Sequence, residues 1–435
     1  MAGKDEYMEA LANEILQENG YYFNLKEKQY EIIKSVINGS DTFAVLPTGY
    51  GKSVCYMLPP MMFAKMHCPK QHTSLVISPL KSLIIDQVKA LKDHNIKAYR
   101  IHEGIEKEDI DAIKSGCATV LIASPEAIIT RHWKGVLDNA YREKLCMVAY
   151  DEAHCISEWG LDFREEYLKV GVLQSITECP VLTLTATATT EIKNDIARTL
   201  GLTNDKLNVV SVLPDRPNIQ LCATKSSENY EEELEWVKTE IIQKGRMMKK
   251  VIIYVNSISM CEQLYIWLHS TLNDKAYDGE KAIGNRLIEM VHAHTDTSSK
   301  ERIMNIFHRS DSTIRILIAT VAVGMGIDIP DVSIVVTWGL PPTLLQLWQE
   351  VGRCGRDGQL CLTLCYAFPR SIAIPCGNCR KQAKRTCSCP SRAYLRSLVT
   401  TTECQRIYCL KYFSLCSKTD TEIDKMKNFL VQKIV

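Results

Sequence analysis

The chain has 435 residues, of which 46% are hydrophobic and 24% charged, and its formal net charge is +1. This length suggests two to three domains, and the composition is ordinary for a globular protein with sizeable cores. No apolar run approaches the roughly 18 to 20 residues that cross a bilayer, and the N-terminus lacks an apolar signal core. Secretion and membrane insertion are therefore not expected, and an intracellular location is.

The 18 cysteines mostly stand singly inside apolar stretches, which fits reduced thiols better than a disulfide framework. Charge is unevenly distributed: residues 370–435 contain thirteen Lys and Arg against four Asp and Glu. Such a basic end suits phosphate backbones, although a merely solvated basic end fits the charge equally well.

Short apolar runs alternate with helical patterns along most of the chain, which predicts parallel sheets covered on both faces. A polar stretch with two prolines, 213–229, interrupts the alternation and is interpreted as a linker. The predicted organisation is an α/β domain at 1–212, this linker, a second α/β domain at 230–370 and a cysteine-rich, basic, mainly helical tail at 371–435. The predicted strands are 42–46, 73–78, 119–124, 145–150 and 180–186, then 250–257, 290–295, 314–323, 332–338 and 360–368.

The first strand is followed by "LPTGYGKSVCY", which opens a helix. Glycines at this position let backbone N–H groups turn toward a phosphate, while a lysine neutralises it and a hydroxyl binds Mg²⁺. A chance turn with the same letters is the alternative. The predicted phosphate-binding residues are Thr48, Gly49, Gly51, Lys52 and Ser53.

An acidic pair, Asp151 and Glu152, follows the apolar strand "LCMVAY". A carboxylate at a strand end holds Mg²⁺, and a neighbouring glutamate orients or deprotonates an attacking water. An acidic pair alone is usually solvated loop surface, but together with the GKS segment it predicts a nucleoside triphosphatase core.

The second domain contains "LWQEVGRCGRDG", with Gln349, Arg353 and Arg356. Two arginines three residues apart are expected to share a helical face and to stabilise charge on a γ-phosphate. The upstream run "IATVAVGMGIDIP" has glycines, including Gly326, that allow close approach of the backbone to a ligand. A surface arginine pair in a turn is the alternative.

Taken together, these motifs resemble those of RecQ-family DNA helicases of superfamily two, in family order from Gln29 to Gly358. "DEAHCISEWGLDFR" is similar to the family's aromatic-rich loop, which couples single-stranded DNA to the nucleotide site. There Trp159 and Phe163 are expected to stack or couple bases, with Arg164 on phosphate; stacking contributes roughly 1–3 kcal/mol per base. Two aromatics that merely fill a gap are the alternative.

The resemblance implies two tandem RecA-like domains and an ATP- and Mg²⁺-dependent 3′–5′ DNA helicase of recombination and repair. The implied partners are single-stranded and forked or junction DNA, without a membrane, and the implied location is the nucleus. It adds Lys26, Gln29, Gly326 and Asp328 to the ATP site. Its implied DNA-contacting or coupling residues also include Ser78, Leu80, His154, Thr185 and Thr187.

The tail departs from the family pattern. "TTECQRIYCLKYF" resembles the helix with the family's first zinc cysteine, Cys404, but no winged helix is expected to fit after it. The spacing CxxC–x7–CxC suits one tetrahedral Zn²⁺, although reduced surface cysteines explain it as well. The candidate ligands are Cys376, Cys379, Cys387 and Cys389.

Three other functions remain open from the sequence. A DNA-stimulated translocase with weak unwinding follows from the expected lack of a winged helix. An RNA helicase shares the DEAH-type motifs. A helicase-derived scaffold without activity is disfavoured by the intact Lys52, Asp151 and Arg356.

Overall fold

The computed structural model describes residues 2–66, 71–79, 81–102, 104–158, 169–175, 177–320, 329–375, 387, 389–415, 421–423 and 426. The chain divides into two compact units. The first comprises Met1–Pro214 with Phe413–Val435, and the second comprises Asp215–Tyr412.

The first unit is built on a seven-stranded parallel sheet, in the order β3-β4-β2-β5-β6-β1-β7. Its strands are β1 (Thr42–Val45), β2 (Thr73–Ile77), β3 (Ala98–Ile101), β4 (Val120–Ala123), β5 (Leu145–Tyr150), β6 (Val181–Thr185) and β7 (Asn208–Ser211). Its helices are α1 (Ala2–Glu18), α2 (Glu27–Ile37), α3 (Val54–Met66), α4 (Lys81–Asp93), α5 (Lys107–Lys114), α6 (Pro125–Ile128), α7 (Arg131–Val136), α8 (His154–Glu158) and α9 (Thr190–Thr199).

Alternate residues of the central strands enter two separate cores of this unit. Ala44 and Val76 pack in one core with residues of α1 to α3, whereas Phe43 and Leu75 pack in the other with residues of α6, α7 and α9. Because helices cover both faces, the strands are buried along their whole length and appear in sequence as continuous apolar runs. This explains why the five strands predicted in the first domain are confirmed.

The second unit has a six-stranded parallel sheet, in the order β10-β11-β9-β12-β13-β8. Its strands are β8 (Ile219–Lys225), β9 (Lys250–Val255), β10 (Ile288–Val291), β11 (Ile316–Thr320), β12 (Val332–Trp338) and β13 (Cys361–Ala367). Its helices are α10 (Tyr230–Glu233), α11 (Glu235–Lys244), α12 (Ile258–Leu272), α13 (Thr297–His308), α14 (Leu344–Val351), α15 (Pro369–Ala373), α16 (Pro390–Leu398) and α17 (Gln405–Tyr412). Shorter helical turns occupy Leu137–Tyr141 and Val170–Ser175 in the first unit. In the second unit they occupy Gly245–Met247, Asn273–Ala276 and Ile283–Asn285.

The predicted linker 213–229 is wrong for its central residues, because β8 pairs there with β13 along seven residues. β8 is an edge strand in which Ile219 and Ala223 are buried while Gln220, Cys222 and Thr224 are exposed. Half-exposed edge strands keep polar residues, so this one has the composition of a loop. The described part of the tail contains the helices α16 and α17, which belong to the second unit.

The two α/β units and the helical C-terminal region confirm the predicted fold class. None of the helices within the described ranges combines the length and hydropathy needed to cross a bilayer.

One buried carboxyl group in the second unit makes the stability of the protein depend on pH. Glu350 of α14 is 3% exposed and accepts hydrogen bonds from Thr337 Oγ1 and Gln346 Nε2, each at 3.1 Å. Burial raises the pKa of Glu350 to about 7. The folded state therefore binds the proton of the Glu350 carboxyl group more tightly than the unfolded chain does. The stabilisation that protonated Glu350 contributes is present at acid pH and is lost as pH rises through 7.

We predict that Glu350→Gln, whose side chain stays neutral, is more stable than wild type at pH 8 by about 2 kcal/mol in the free energy of unfolding. Its unfolding temperature should therefore be a few degrees higher. The advantage should vanish near pH 4.5, and thermal unfolding at both pH values measures it. Glu289→Gln is the matched control, because Glu289 is equally buried but paired with Arg302 at 2.9 Å. That control should destabilise the protein; a Glu350→Gln variant that behaves in the same way contradicts the prediction.

Candidate nucleotide-binding site

Four neighbouring strands of the first sheet end at one edge, in the order β2, β5, β6 and β1. Backbone hydrogen bonds continue past the strand ends, from Asp151 N to Ile77 O and from Leu46 N to Thr185 O, both at 2.9 Å. Ser78, Asp151 and the GKS loop follow the ends of β2, β5 and β1, and Thr185 is the last residue of β6. Parallel strands thus bring four distant motifs to the carboxyl edge of the sheet, where ligands of open α/β sheets bind.

The phosphate loop, Pro47–Ser53, lies between β1 and α3. Gly49 and Gly51 have φ angles of +80° and +88°, a backbone that side chains rarely adopt. A Cβ atom on Gly51 would stand 2.6 Å from Gln29 Nε2, whereas one on Gly49 would meet nothing within 4 Å. Gly51 is therefore required both by its backbone and by the close approach of Gln29.

Gln29 of α2 is buried and clamps the phosphate loop. Its Nε2 donates to Tyr50 O at 2.9 Å and to Gly51 O at 3.1 Å, while its Oε1 accepts from Lys26 N at 2.8 Å. Lys26 Nζ donates to Tyr50 O at 3.2 Å and lies 4.3 Å from the centre of the Tyr50 ring. The predicted residues Lys26 and Gln29 thus meet the phosphate loop, and Tyr50 is a partner that the sequence analysis missed.

The acidic pair lies beside the loop lysine. Asp151 is buried; its Oδ2 accepts from Gln87 Nε2 and its Oδ1 from Glu152 N, both at 2.9 Å. Burial, and then the charge of Glu152, raise the pKa of Asp151, while Lys52 and Gln87 oppose the rise. Lys52 Nζ is 3.7 Å from Glu152 Oε1. Gln87 lies on α4, and no pattern in the sequence distinguished it.

A chain of contacts leads from Glu152 to the segment "TATAT". His154 Nδ1 lies 3.4 Å from Glu152 Oε2 and 3.1 Å from Thr185 Oγ1. Thr185 Oγ1 donates to Thr187 O at 2.9 Å, and Thr187 N lies 3.3 Å from the same hydroxyl. Since His154, Thr185 and Thr187 are buried, these contacts are shielded from water. We call the chain Lys52–Glu152–His154–Thr185–Thr187 the carboxylate relay.

Among the predicted DNA-contacting residues, Ser78 is buried and its hydroxyl finds no hydrogen-bond partner in the described part of the chain. Several other predicted site residues lie outside the described residues. These are Leu80, Trp159, Phe163, Arg164, Gly326, Asp328, Cys376 and Cys379.

In the second unit, Gln349 lies on α14, which ends at Val351. Arg353 and Arg356 belong to the following arginine loop, residues 352–358, so their predicted shared helical face is wrong. Gly355 lies between them with φ of +57°, a left-handed conformation that redirects the backbone after the helix has ended. All three predicted side chains are half-buried.

The arginine loop is held by residues that precede β8. Arg216 Nη2 donates to Cys354 O at 3.1 Å and to Gly355 O at 2.6 Å, and Asn218 Nδ2 donates to Gly355 O at 2.8 Å. A Cβ atom on Gly355 would lie 2.6 Å from Asn218 Nδ2. Both residues were missed because "DRPN" lies in the segment that was interpreted as a linker.

The candidate zinc residues are only partly described. Cys387 is buried beside Cys389, and Cys404 is exposed. No group of three or more His, Cys, Asp or Glu that suits a metal comes together within the ranges given above. For Mg²⁺, the buried carboxylate of Asp151 and the hydroxyl of Ser53 are the hard oxygen ligands that this ion prefers.

Comparisons with known proteins agree with this geometry. Residues 26–195 match the DEAD/DEAH box helicase family and residues 232–358 match the helicase conserved C-terminal domain. The structure is similar to that of the DUF1998 helicase MrfA bound to DNA, with a TM-score of 0.65 at 17% identity over 96% of this chain and 60% of that one. The two matched domains therefore place the chain in the superfamily-two helicase family.

Sequence relatives identify the family within this superfamily. The chain is 34% identical over 341 residues to the ATP-dependent DNA helicase RecQ of Haemophilus influenzae, covering 77% of this chain and 50% of the relative. It is 32% identical to the probable ATP-dependent DNA helicase RecS of Bacillus subtilis, covering 82% and 68%. The chain belongs to the RecQ family, and it spans about half the length of its Haemophilus relative.

We predict that Gly51→Ala weakens ATP binding at least ~10-fold, because it adds a clash with Gln29 to an unfavourable φ angle. Gly49→Ala is the matched control, with a similar φ angle but open space around the new methyl group. Titration with a fluorescent ATP analogue measures both affinities, and thermal unfolding checks the fold. Equal affinities of the two variants would show that the Gln29 clamp is unimportant.

Proposed function

We propose that the chain is an ATP-dependent 3′–5′ DNA helicase of RecQ type that couples ATP hydrolysis to movement along single-stranded DNA and to unwinding. The observation that carries the proposal is the carboxylate relay, because it joins the phosphate-loop lysine to the segment at Thr185 and Thr187. Its first contact, Lys52 to Glu152, is partly exposed, and its contacts from His154 to Thr187 are buried. Family membership supports the same function. Forked or junction DNA as substrate, a role in recombination and repair and a nuclear location are further parts of the proposal, carried by the resemblance.

The phosphate loop would bind the triphosphate. Thr48, Gly49, Gly51, Lys52 and Ser53 surround the phosphates in this proposal, with Lys26 and Gln29 at the adenine. Mg²⁺, when bound at Ser53 and Asp151, supplies positive charge against the phosphate oxygens. The raised pKa of Asp151 fits a carboxylate whose buried negative charge lacks sufficient compensation.

Glu152 is proposed to orient the attacking water. Its contact with Lys52 holds it near the phosphate loop, and the contact is long at 3.7 Å. A bound γ-phosphate competes for the Lys52 ammonium, which releases the Glu152 carboxylate toward water. The same release alters its contact with His154 and hence the position of Thr185. Nucleotide state would thereby reach the segment at Thr185 and Thr187.

Arg353 and Arg356, together with Gln349, are proposed by family resemblance to stabilise negative charge on the γ-phosphate. Gly326 and Asp328 join the ATP site by family resemblance. Single-stranded DNA would contact Ser78 and Leu80 and the aromatic-rich loop with Trp159, Phe163 and Arg164.

Zinc in the C-terminal region is a separate part of the proposal. Cys376, Cys379, Cys387 and Cys389 are proposed to bind one Zn²⁺, supported by their spacing and by the burial of Cys387. Metal analysis of the purified chain, before and after chelation, tests it; a zinc content near one per chain is expected.

We predict that single-stranded DNA stimulates ATP hydrolysis and that Lys52→Ala and Arg356→Ala each lower turnover at least ~100-fold without unfolding the chain. Lys65→Ala is the control, since Lys65 forms only surface ion pairs with Glu14 and Glu18. A phosphate-release assay with matched DNA and RNA strands, beside strand separation on a forked duplex, measures the activities. Stimulation by RNA alone would identify an RNA helicase, and hydrolysis without strand separation would identify a translocase. No stimulation would refute the proposal.

We predict that Thr185→Val uncouples DNA from hydrolysis, because it removes the hydroxyl that His154 and Thr187 share. DNA stimulation should fall at least ~10-fold while ATP affinity changes less than about threefold. Thr183→Val is the control on the same buried strand; its hydroxyl contacts only Thr42 O, at 3.4 Å, among the described residues. The relay is irrelevant to coupling if both variants keep normal stimulation.

A further inference from the structure

The C-terminal helices α16 and α17 form a pair held together by aromatic side chains. The rings of Tyr394 and Tyr408 stack with centroids 4.3 Å apart, and each hydroxyl donates to the other residue's carbonyl, at 2.6 and 3.3 Å. Tyr412 packs on Tyr394 at 4.9 Å. The two helices therefore pack against each other through contacts of their own.

This helical pair attaches to the edge of the sheet. Gln405 Oε1 accepts from Ala223 N at 2.6 Å and Gln405 Nε2 donates to Ala223 O at 2.7 Å. One amide side chain therefore satisfies both backbone groups of an edge residue, as another strand would.

The pair also contacts the segment that leads into α14. Arg392 is fully buried and donates to the carbonyl groups of Pro341 and Ser371. Pro341 stands two residues before Thr343, whose side chain caps the N-terminus of α14. The helix that precedes the arginine loop is thus contacted at its start by the C-terminal pair.

A second contact of the helical pair involves Asp215, which precedes β8. Arg406 Nε lies 3.0 Å from Asp215 Oδ1, and both side chains are about three-quarters buried. Asp215 is the neighbour of Arg216, whose guanidinium holds the carbonyls of Cys354 and Gly355. Arg406 and Arg216 also line one small cavity together with Trp348 and Gly352 of the α14 region.

We infer that Arg406 is a positioning residue for ATP hydrolysis: by pairing with Asp215, it leaves Arg216 available to hold the arginine loop. The inference rests on the proposed function, because it assumes that Arg356 acts on the triphosphate. Without Arg406, the mostly buried carboxylate of Asp215 lacks its ion-pair partner, and the cationic residue nearest to it in sequence is its neighbour Arg216. Such an unpaired charge is costly enough to draw the guanidinium from the two carbonyls.

The consequence for catalysis follows from geometry. Arg216 and Asn218 are the side chains that hold Gly355 O, next to Arg356. If Arg216 turns to Asp215, the loop loses two of its contacts and Arg356 shifts. A misplacement of about 1 Å costs on the order of 100-fold in rate, even when the altered residue is remote from the chemistry.

The test measures kcat and KM for DNA-stimulated ATP hydrolysis in the full chain. Arg406→Ala should lower kcat by about 10- to 100-fold with KM for ATP and affinity for single-stranded DNA within about threefold. Arg406→Lys, which keeps the charge, should retain most of the activity. Arg406→Ala with Asp215→Asn should recover several-fold of the lost kcat, because the neutral amide no longer attracts Arg216.

Arg396→Ala is the matched control. Arg396 lies on the same helical pair and donates to Ile372 O and Cys387 O, both at 2.9 Å, away from the arginine loop. It should reduce thermal stability as much as Arg406→Ala but leave kcat near wild type. Normal kcat in Arg406→Ala, an equal loss in Arg396→Ala, or no recovery on Asp215→Asn each overturn the inference. If Arg356→Ala itself hydrolyses ATP normally, the proposed function fails instead, independently of Arg406.

Discussion

The parallel pairing of β2, β5, β6 and β1 is the constraint on which the first unit's site depends. Residues 77, 150, 185 and 45 end these strands, so segments that follow neighbouring strands lie side by side although their strand ends are 73, 35 and 140 residues apart. The site needs a lysine, two carboxylates and a hydroxyl at close range in a place where water is scarce. A sheet with helices on both faces supplies such a place at its carboxyl edge and keeps the strands too buried to shift.

Burial sets the electrostatics of that edge. Asp151 has little exposure, and its pKa is raised although Lys52 and Gln87 favour the charged form. Glu152 adopts a left-handed φ angle of +47°, which a non-glycine residue holds only when its surroundings compensate. Its hydrogen bond to Asp151 and its contacts with Lys52 and His154 are such compensation. This strained residue is also the one that we propose orients the attacking water.

The second unit solves a different problem, that of holding an irregular loop in place. The loop carries Arg356 beyond the end of α14, and its backbone donates from Gly355 N to Val332 O and from Asp357 N to Pro330 O. Side chains remote in sequence also hold its backbone: Arg216 and Asn218 directly, and Arg406 through Asp215. This arrangement makes the C-terminal helices part of the α/β unit, which explains why a chain segment that resembles a zinc-site helix contributes to its packing.

Much of this was predictable from local sequence. Buried parallel strands are continuous apolar runs, and the GKS and DEAH segments have a residue order typical of one family, so the fold class and the family were recognised. Edge strand β8 was not, because a strand with one exposed side resembles a loop. The helical face assigned to Arg353 and Arg356 failed because α14 ends at Val351, before both arginines, and the left-handed Gly355 redirects the backbone between them.

The sequence by itself determined which residues supply charge, hydroxyl and aromatic groups and on which strand ends most of them stand, because strand and loop patterns are local properties of the chain. Only the tertiary structure decided which of them meet. The Gln29 clamp, the carboxylate relay and the Arg406–Asp215–Arg216 contacts join residues up to about 190 positions apart. Their pairing follows from strand order and helix packing, which arise from burial of the whole unit and leave no short-range pattern in the sequence.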